Sequence, residues 1–261
     1  MRGITADTVL ELFDRKVLYI FGAVTVIGLL SIFGSASLNI QMMGEGIDLE
    51  EMNQALGNPV LMGLNFFMYL LVFLATMATA GLIPGMLIRG RADYYLSKPV
   101  SRASLLLGKV FSIWLVYGAV MVVCVLIEFL AAGLMLDAFS WGIAYIIAIN
   151  LLTFLVWLSV TCFAGIATGS SGMAIMAAFL MWLVQRVLTM HDALEQLVDS
   201  PIAIYVVDTL YYIFPKTSQI CDLTDQLVSG ATHSWMPLYS SLIFAAALFF
   251  ITIVIFNRKS Y

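Results

Sequence analysis

Charge is what this chain has least of. Asp, Glu, Lys and Arg make up 11% of 261 residues while 62% are hydrophobic. A soluble domain carries about 25% charged and about 45–50% apolar residues. So few charges cannot cover a water-facing surface, so lipid is the solvent for most of the protein. The length suits one membrane domain and leaves no room for a separate soluble enzyme domain. Cysteine is scarce: Cys124 and Cys162 stand in apolar runs and Cys221 in a polar connector, with no C-x-x-C spacing. That excludes a disulfide framework and a cysteine zinc site, and leaves small apolar packing residues. Histidine is limited to His191 and His233. His191-Asp-Ala-Leu-Glu195 is not H-E-x-x-H, and two histidines supply little acid–base capacity. Met42, Met43, Met173 and Met176 read as flexible apolar filling rather than copper ligands. No G-x-x-x-x-G-K-[ST] occurs, so any ATP hydrolysis belongs to another chain. With no convergent polar constellation, an enzyme is disfavoured, and no cofactor, metal or nucleic-acid partner is expected.

What is present is a series of long uncharged runs, expected to form an all-α integral membrane protein with six transmembrane helices. The spans fall at about 17–38, 60–88, 105–136, 141–167, 173–190 and 238–256. The first run is longer than a signal h-region and lacks a cleavage pattern, so it is expected to stay as an anchor. Residues 4–16 interleave Val9, Leu10, Leu12 and Phe13 with Asp7, Glu11, Asp14, Arg15 and Lys16, the pattern of an amphipathic helix on the membrane surface. The second run is roughly 45 Å long as a helix, longer than the hydrocarbon core of about 30 Å, and Pro84-Gly85 offers a break near its inner end. Thr168-Gly-Ser-Ser-Gly172 divides the fourth span from the fifth. Residues 191–235 form an extended external connector. In it Ser200-Pro201 reads as a helix start, and a helix over Ser218–Val228 would place Ile220, Leu223 and Leu227 on one face and stop at Gly230. Gly81-x-x-x-Gly85 and Gly165-x-x-x-Gly169 permit close helix packing.

Basic residues set the orientation. With the N-terminus cytoplasmic, Arg2, Arg15, Lys16, Arg89, Arg91, Lys98, Arg102, Lys109, Arg258 and Lys259 share one side, and the opposite loops hold only Lys216 among basic residues. The external side collects acids, from Glu45, Asp48, Glu50 and Glu51 to Asp222 and Asp225. Both termini are therefore expected in the cytoplasm. Two charges fall inside spans, Glu128 and Arg186. Buried charges are costly and usually paired, so these two are expected either to pair or to snorkel toward the outer interface.

The densest basic cluster lies in the cytoplasmic loop at residues 89–104 and just after it. Asp93 to Leu96 can form one or two helical turns, with Tyr94 and Tyr95 presenting aromatic surface. Pro99 stops that helix and Ser101 can cap the next. Leu96-Ser-Lys-Pro-Val-Ser-Arg102, followed by Leu105-Leu-Leu-Gly-Lys109, resembles the loop signature of ABC-2-type permeases, the membrane subunits of a class of ABC transporters. The six-span plan, the N-terminal amphipathic helix and the long outer connector are similar too. The family often carries Glu before the loop's Gly and Thr after it; here Pro84-Gly-Met-Leu-Ile-Arg89 precedes Gly90 and Arg91 follows.

The resemblance implies that Arg91, Asp93, Tyr94, Tyr95, Leu96, Ser97, Lys98 and Pro99 form or adjoin a coupling helix that docks on an ABC ATPase. It implies two ATPase copies, which bind ATP and Mg, and a homodimer or a second, paired permease. The dimer seam would involve spans one and five. The expected setting is the plasma (inner) membrane of a prokaryote, with lipid as a further partner and room for a periplasmic or extracellular accessory protein. The function implied is that of a permease subunit, in an exporter. The competing reading is a membrane scaffold or channel subunit not driven by ATP, whose basic loop binds anionic lipid. Neither reading names the cargo.

Overall fold

The computed structural model describes residues 8–12, 16–44, 59–86, 101–136, 139–188, 209, 211 and 214–258, with 35–44, 59 and 186–188 described by backbone alone. The elements are α1 (Val17–Gly44), α2 (Pro59–Thr79), α3 (Leu82–Gly85), α4 (Arg102–Leu136), α5 (Gly142–Thr168), α6 (Ser171–Leu188), α7 (Thr217–Ser229) and α8 (Met236–Arg258). Residues 8–12 are also helical, and no strand occurs among the described residues. Among the described residues, five helical stretches are long and apolar enough to cross a membrane: Val17–Gly34 within α1, Val60–Gly85 across α2 and α3, α4, α5 and α8. In α6 the stretch Ser171–Gln185 is apolar but shorter.

The bundle is built around α5. This helix carries no charged residue over its length and is buried on several faces, as expected of a helix apolar all round. It packs against α8, α2, α6, α7 and α4, while α1 lies at the edge against α4 and α2. The core runs through Phe21, Met68, Ile113, Tyr117, Phe154 and Ile166, with Phe21 and Tyr117 meeting edge-on at 6.4 Å. Outward faces stay apolar, as on α1 at Tyr19, Val26 and Leu30 and on α6 at Met176, Phe179 and Leu180.

Several boundaries differ from the sequence expectation for physical reasons. Helix α1 continues to Gly44, past the expected end near Leu38. The second span breaks at Ala80-Gly81, one turn before Pro84. Proline has no N–H to donate to the carbonyl four residues back, and its ring crowds that carbonyl. For Pro84 that residue is Ala80, so the disruption falls there. The ladder resumes as the Gly85 amide donates to the Gly81 carbonyl at 3.1 Å. At the other end of α5, Gly169 adopts φ +71° and its amide returns to the Gly165 carbonyl at 2.8 Å. This left-handed residue lets α6 begin two residues later, at Ser171.

Candidate functional site

Residues 87–100 lie outside the described residues, and with them Arg91, Asp93, Tyr94, Tyr95, Leu96, Ser97, Lys98 and Pro99. Both segments that join this loop to the bundle are described. On the entrance side, α3 buries Leu82, Ile83 and Pro84 against α5 and α6. Gly165 makes room for the proline: a Cβ there would stand 2.7 Å from Pro84 Cγ. Ala80, Ala164 and Ala174 cluster beside it, so small residues bring the three segments close together.

On the exit side, the Ser101 hydroxyl accepts a hydrogen bond from the Ser104 amide at 3.2 Å and caps α4. At about 1.5 Å per residue, α4 is roughly 52 Å long and must project beyond a core of about 30 Å. Lys109, two turns into α4, is not a loop charge. Its side chain is fully buried, and Nζ stands 2.8 Å from Glu11 Oε2, whose side chain is 14% exposed. Glu11 belongs to the N-terminal helical residues, which bury Thr8 and Leu12 and leave Leu10 exposed. Lys16 then takes φ +56° before α1 begins, a turn that an L-residue adopts at some cost. The described part of the amphipathic segment, residues 8–12, is thus joined to α4 through a buried ion pair. The sequence shows both charges; what it lacks is any sign that these two, 98 positions apart, meet.

The opposite end of the bundle carries a second polar cluster, which the sequence reading missed. Asn65 Nδ2 of α2 donates to Asp225 Oδ1 of α7 at 2.8 Å and to the Cys221 carbonyl at 3.2 Å. Asn150 Nδ2 of α5 donates to Asn65 Oδ1 at 2.8 Å. Amides within otherwise apolar spans were the available signal, because a buried amide requires partners. Burial raises the Asp225 carboxyl above the usual carboxylate range. The Asn65 hydrogen bond lowers it in part, and nearby Asp222 raises it further. Below this cluster Ile220, Leu223 and Leu227 pack on Ile149, Leu152 and Leu238. Gly230 ends α7 in the left-handed conformation, at φ +73°. Lys216, at the start of α7, is buried; its amide donates to Ser241 Oγ at 2.9 Å and its Nζ lies 3.9 Å over the Tyr211 ring. Burial lowers the Lys216 ammonium below the usual lysine range. Thr217 hydrogen-bonds Gln185, which ties the end of α6 to α7.

Glu128 is fully buried in α4. The side chain of Arg186, and with it the pairing expected of these two, lies outside the described residues. His191 and Glu195 also fall outside them. His233 is exposed, with Nδ1 3.2 Å from the Ala231 carbonyl. No group of three or more His, Cys, Asp or Glu that could hold a metal occurs among the described residues.

In comparison with known proteins, the family described as ABC-2 family transporter protein matches residues 11–261. No curated protein matches the chain.

Proposed function

Because the chain belongs to the ABC-2 family of transporter proteins, a multi-pass membrane family that works with an ABC ATPase, we propose that it is the permease subunit of an ATP-driven exporter in a prokaryotic plasma membrane. Two copies, or one copy and a second permease, sit on two ATPase subunits, which supply the ATP and Mg chemistry. The chain crosses the membrane six times, α6 being the fifth crossing, and both termini are cytoplasmic. The ATPase docks on Arg91 and Asp93–Pro99.

The observation that carries this reading is that the docking loop is fastened at both ends. Its entrance is seated by Pro84 in the space at Gly165, next to the α5–α6 turn. Its exit is held to the N-terminal helix by the Lys109–Glu11 pair. A loop tied to two separate parts of the domain moves both when it is pushed. A loop that only anchors lipid needs neither attachment.

Affinity purification of the full-length protein from native membranes tests this. An ABC ATPase co-isolates with the natural sequence and is lost when Tyr94-Tyr95-Leu96 is replaced by Gly-Ser-Gly. A stably assembled protein that never carries an ATPase contradicts it and favours a scaffold or channel.

A further inference from the structure

We propose that Glu128 is a proton-binding site within the membrane domain, its carboxyl held as the neutral acid in a notch that Gly28 of α1 leaves open. Three observations combine. Glu128 is fully buried. Neither carboxyl oxygen has a hydrogen-bond partner among the described residues. A Cβ placed on Gly28 would stand 2.4 Å from Oε1 and 3.2 Å from Oε2, so the carboxyl occupies the space that the missing side chain provides.

An ionised carboxylate in such surroundings bears its desolvation cost with nothing to offset it, and the group becomes neutral by taking a proton or by pairing with a cation. Among the described elements, those packed most extensively on α4 are α1, α2, α5 and α8. Helices α1, α2 and α5 contain no Asp, Glu, Lys, Arg or His, and α8 contains only Arg258, at its cytoplasmic end. On α4 itself Lys109 is about 28 Å away along the helix and paired with Glu11. The titratable neighbour is the Cys124 thiol, one turn earlier, which lies beside Thr25 of α1. The nearby hydroxyls of Thr25 and Ser31 donate to the Phe21 and Gly28 carbonyls, at 3.0 Å and 2.7 Å. A hard metal ion takes several oxygen ligands, usually from more than one carboxylate, and among the described residues no group of three or more His, Cys, Asp or Glu gathers around Glu128. The notch is filled by the carboxyl itself, which leaves room for a proton rather than a bulkier cation.

The acid stays neutral while it is dry. Movement of α1 away from α4 admits water to the carboxyl, and the O–H proton passes to that water. The site would couple the α1–α4 contact to proton release, whatever the domain transports.

Infrared spectroscopy of the full-length protein in bilayers at neutral pH, with glutamate carboxyl carbons labelled, tests the proposal. The expected result is a carboxylic-acid C=O stretch that shifts with the label, disappears in Glu128→Gln and is unchanged in Arg186→Gln. Gly28→Ala, which drives a methyl into the notch, is expected to shift that band. If Glu128→Gln does not assemble, Glu128→Asp should displace the same band. The proposal is overturned if Glu128→Gln or Glu128→Asp alters a carboxylate band instead. It is also overturned if the carboxylate becomes an acid in Arg186→Gln, since Glu128 would then be half of a charge pair. An acid band indifferent to Gly28→Ala would overturn the role of the notch.

Discussion

The two ends of this bundle, one next to the 87–100 loop and one next to α7, solve the same problem with different chemistry. Each must hold a polar or amphipathic segment against an apolar bundle. The loop end does it with a full charge pair, Lys109 and Glu11, at 2.8 Å. The α7 end uses a relay of amides: Asn150 donates to Asn65, and Asn65 donates to Asp225 and the Cys221 carbonyl. A charge pair attaches one segment strongly at one point and fails when either partner is lost. An amide network spreads modest bonds over three helices and sets their register. Under the proposed function, the charge pair suits a segment that transmits a push, and the amide network a helix that keeps its seat.

The largest single effect is expected at the loop end. Lys109→Ala leaves Glu11 without its buried partner and should cost about 3–5 kcal/mol, read as a lowered unfolding midpoint in detergent. The swapped pair Lys109→Glu with Glu11→Lys should recover much of that loss. At the α7 end, Asn65→Ala removes bonds to both Asp225 and Asn150. Each group left unsatisfied should cost roughly 1–3 kcal/mol, with faster hydrogen exchange across 217–229. Equal exchange in the variant would mean that apolar packing alone seats α7.

Smaller effects sharpen the picture. Gly165→Ala forces a methyl against the Pro84 ring, which cannot swing aside, and should cost about 1–3 kcal/mol. Its readout is altered protease sensitivity of the loop at 87–100. The smallest expected effect is a pH dependence at Asp225. Its carboxyl is raised in the folded protein, so the folded state binds the proton more tightly than the unfolded chain. That contribution to α7 docking is complete below the usual carboxylate pKa and is lost as pH rises through the raised value. Hydrogen exchange of α7 should therefore speed up across that window in the natural sequence, and the step should vanish in Asp225→Asn.

Much of this architecture was legible because it is local. The Ser101 cap, the break at Thr168–Gly172 and the apolar face and glycine stop of α7 each depend on residues a few positions apart. The break at Ala80 was legible only in part, since proline disturbs the carbonyl four residues earlier and the eye stops at Pro84. Lys109 was misplaced among loop charges because a charge census cannot see that residues 8–12 fold back onto α4. Asn65, Asn150 and Gly28 carried little pattern of their own. Their roles arise from partners far along the chain, and only packing reveals them.

The account turns on the Lys109–Glu11 pair as a force-bearing joint, and the reconstituted permease–ATPase complex tests that most directly. Transport-linked ATP hydrolysis would be measured for the natural sequence, Lys109→Met, Glu11→Gln and the swapped pair, alongside the amount of ATPase bound. The account predicts that each single variant keeps its ATPase but loses the stimulation, and that the swapped pair regains it. Single variants that remain fully stimulated, or that shed the ATPase as completely as the loop replacement does, would contradict it.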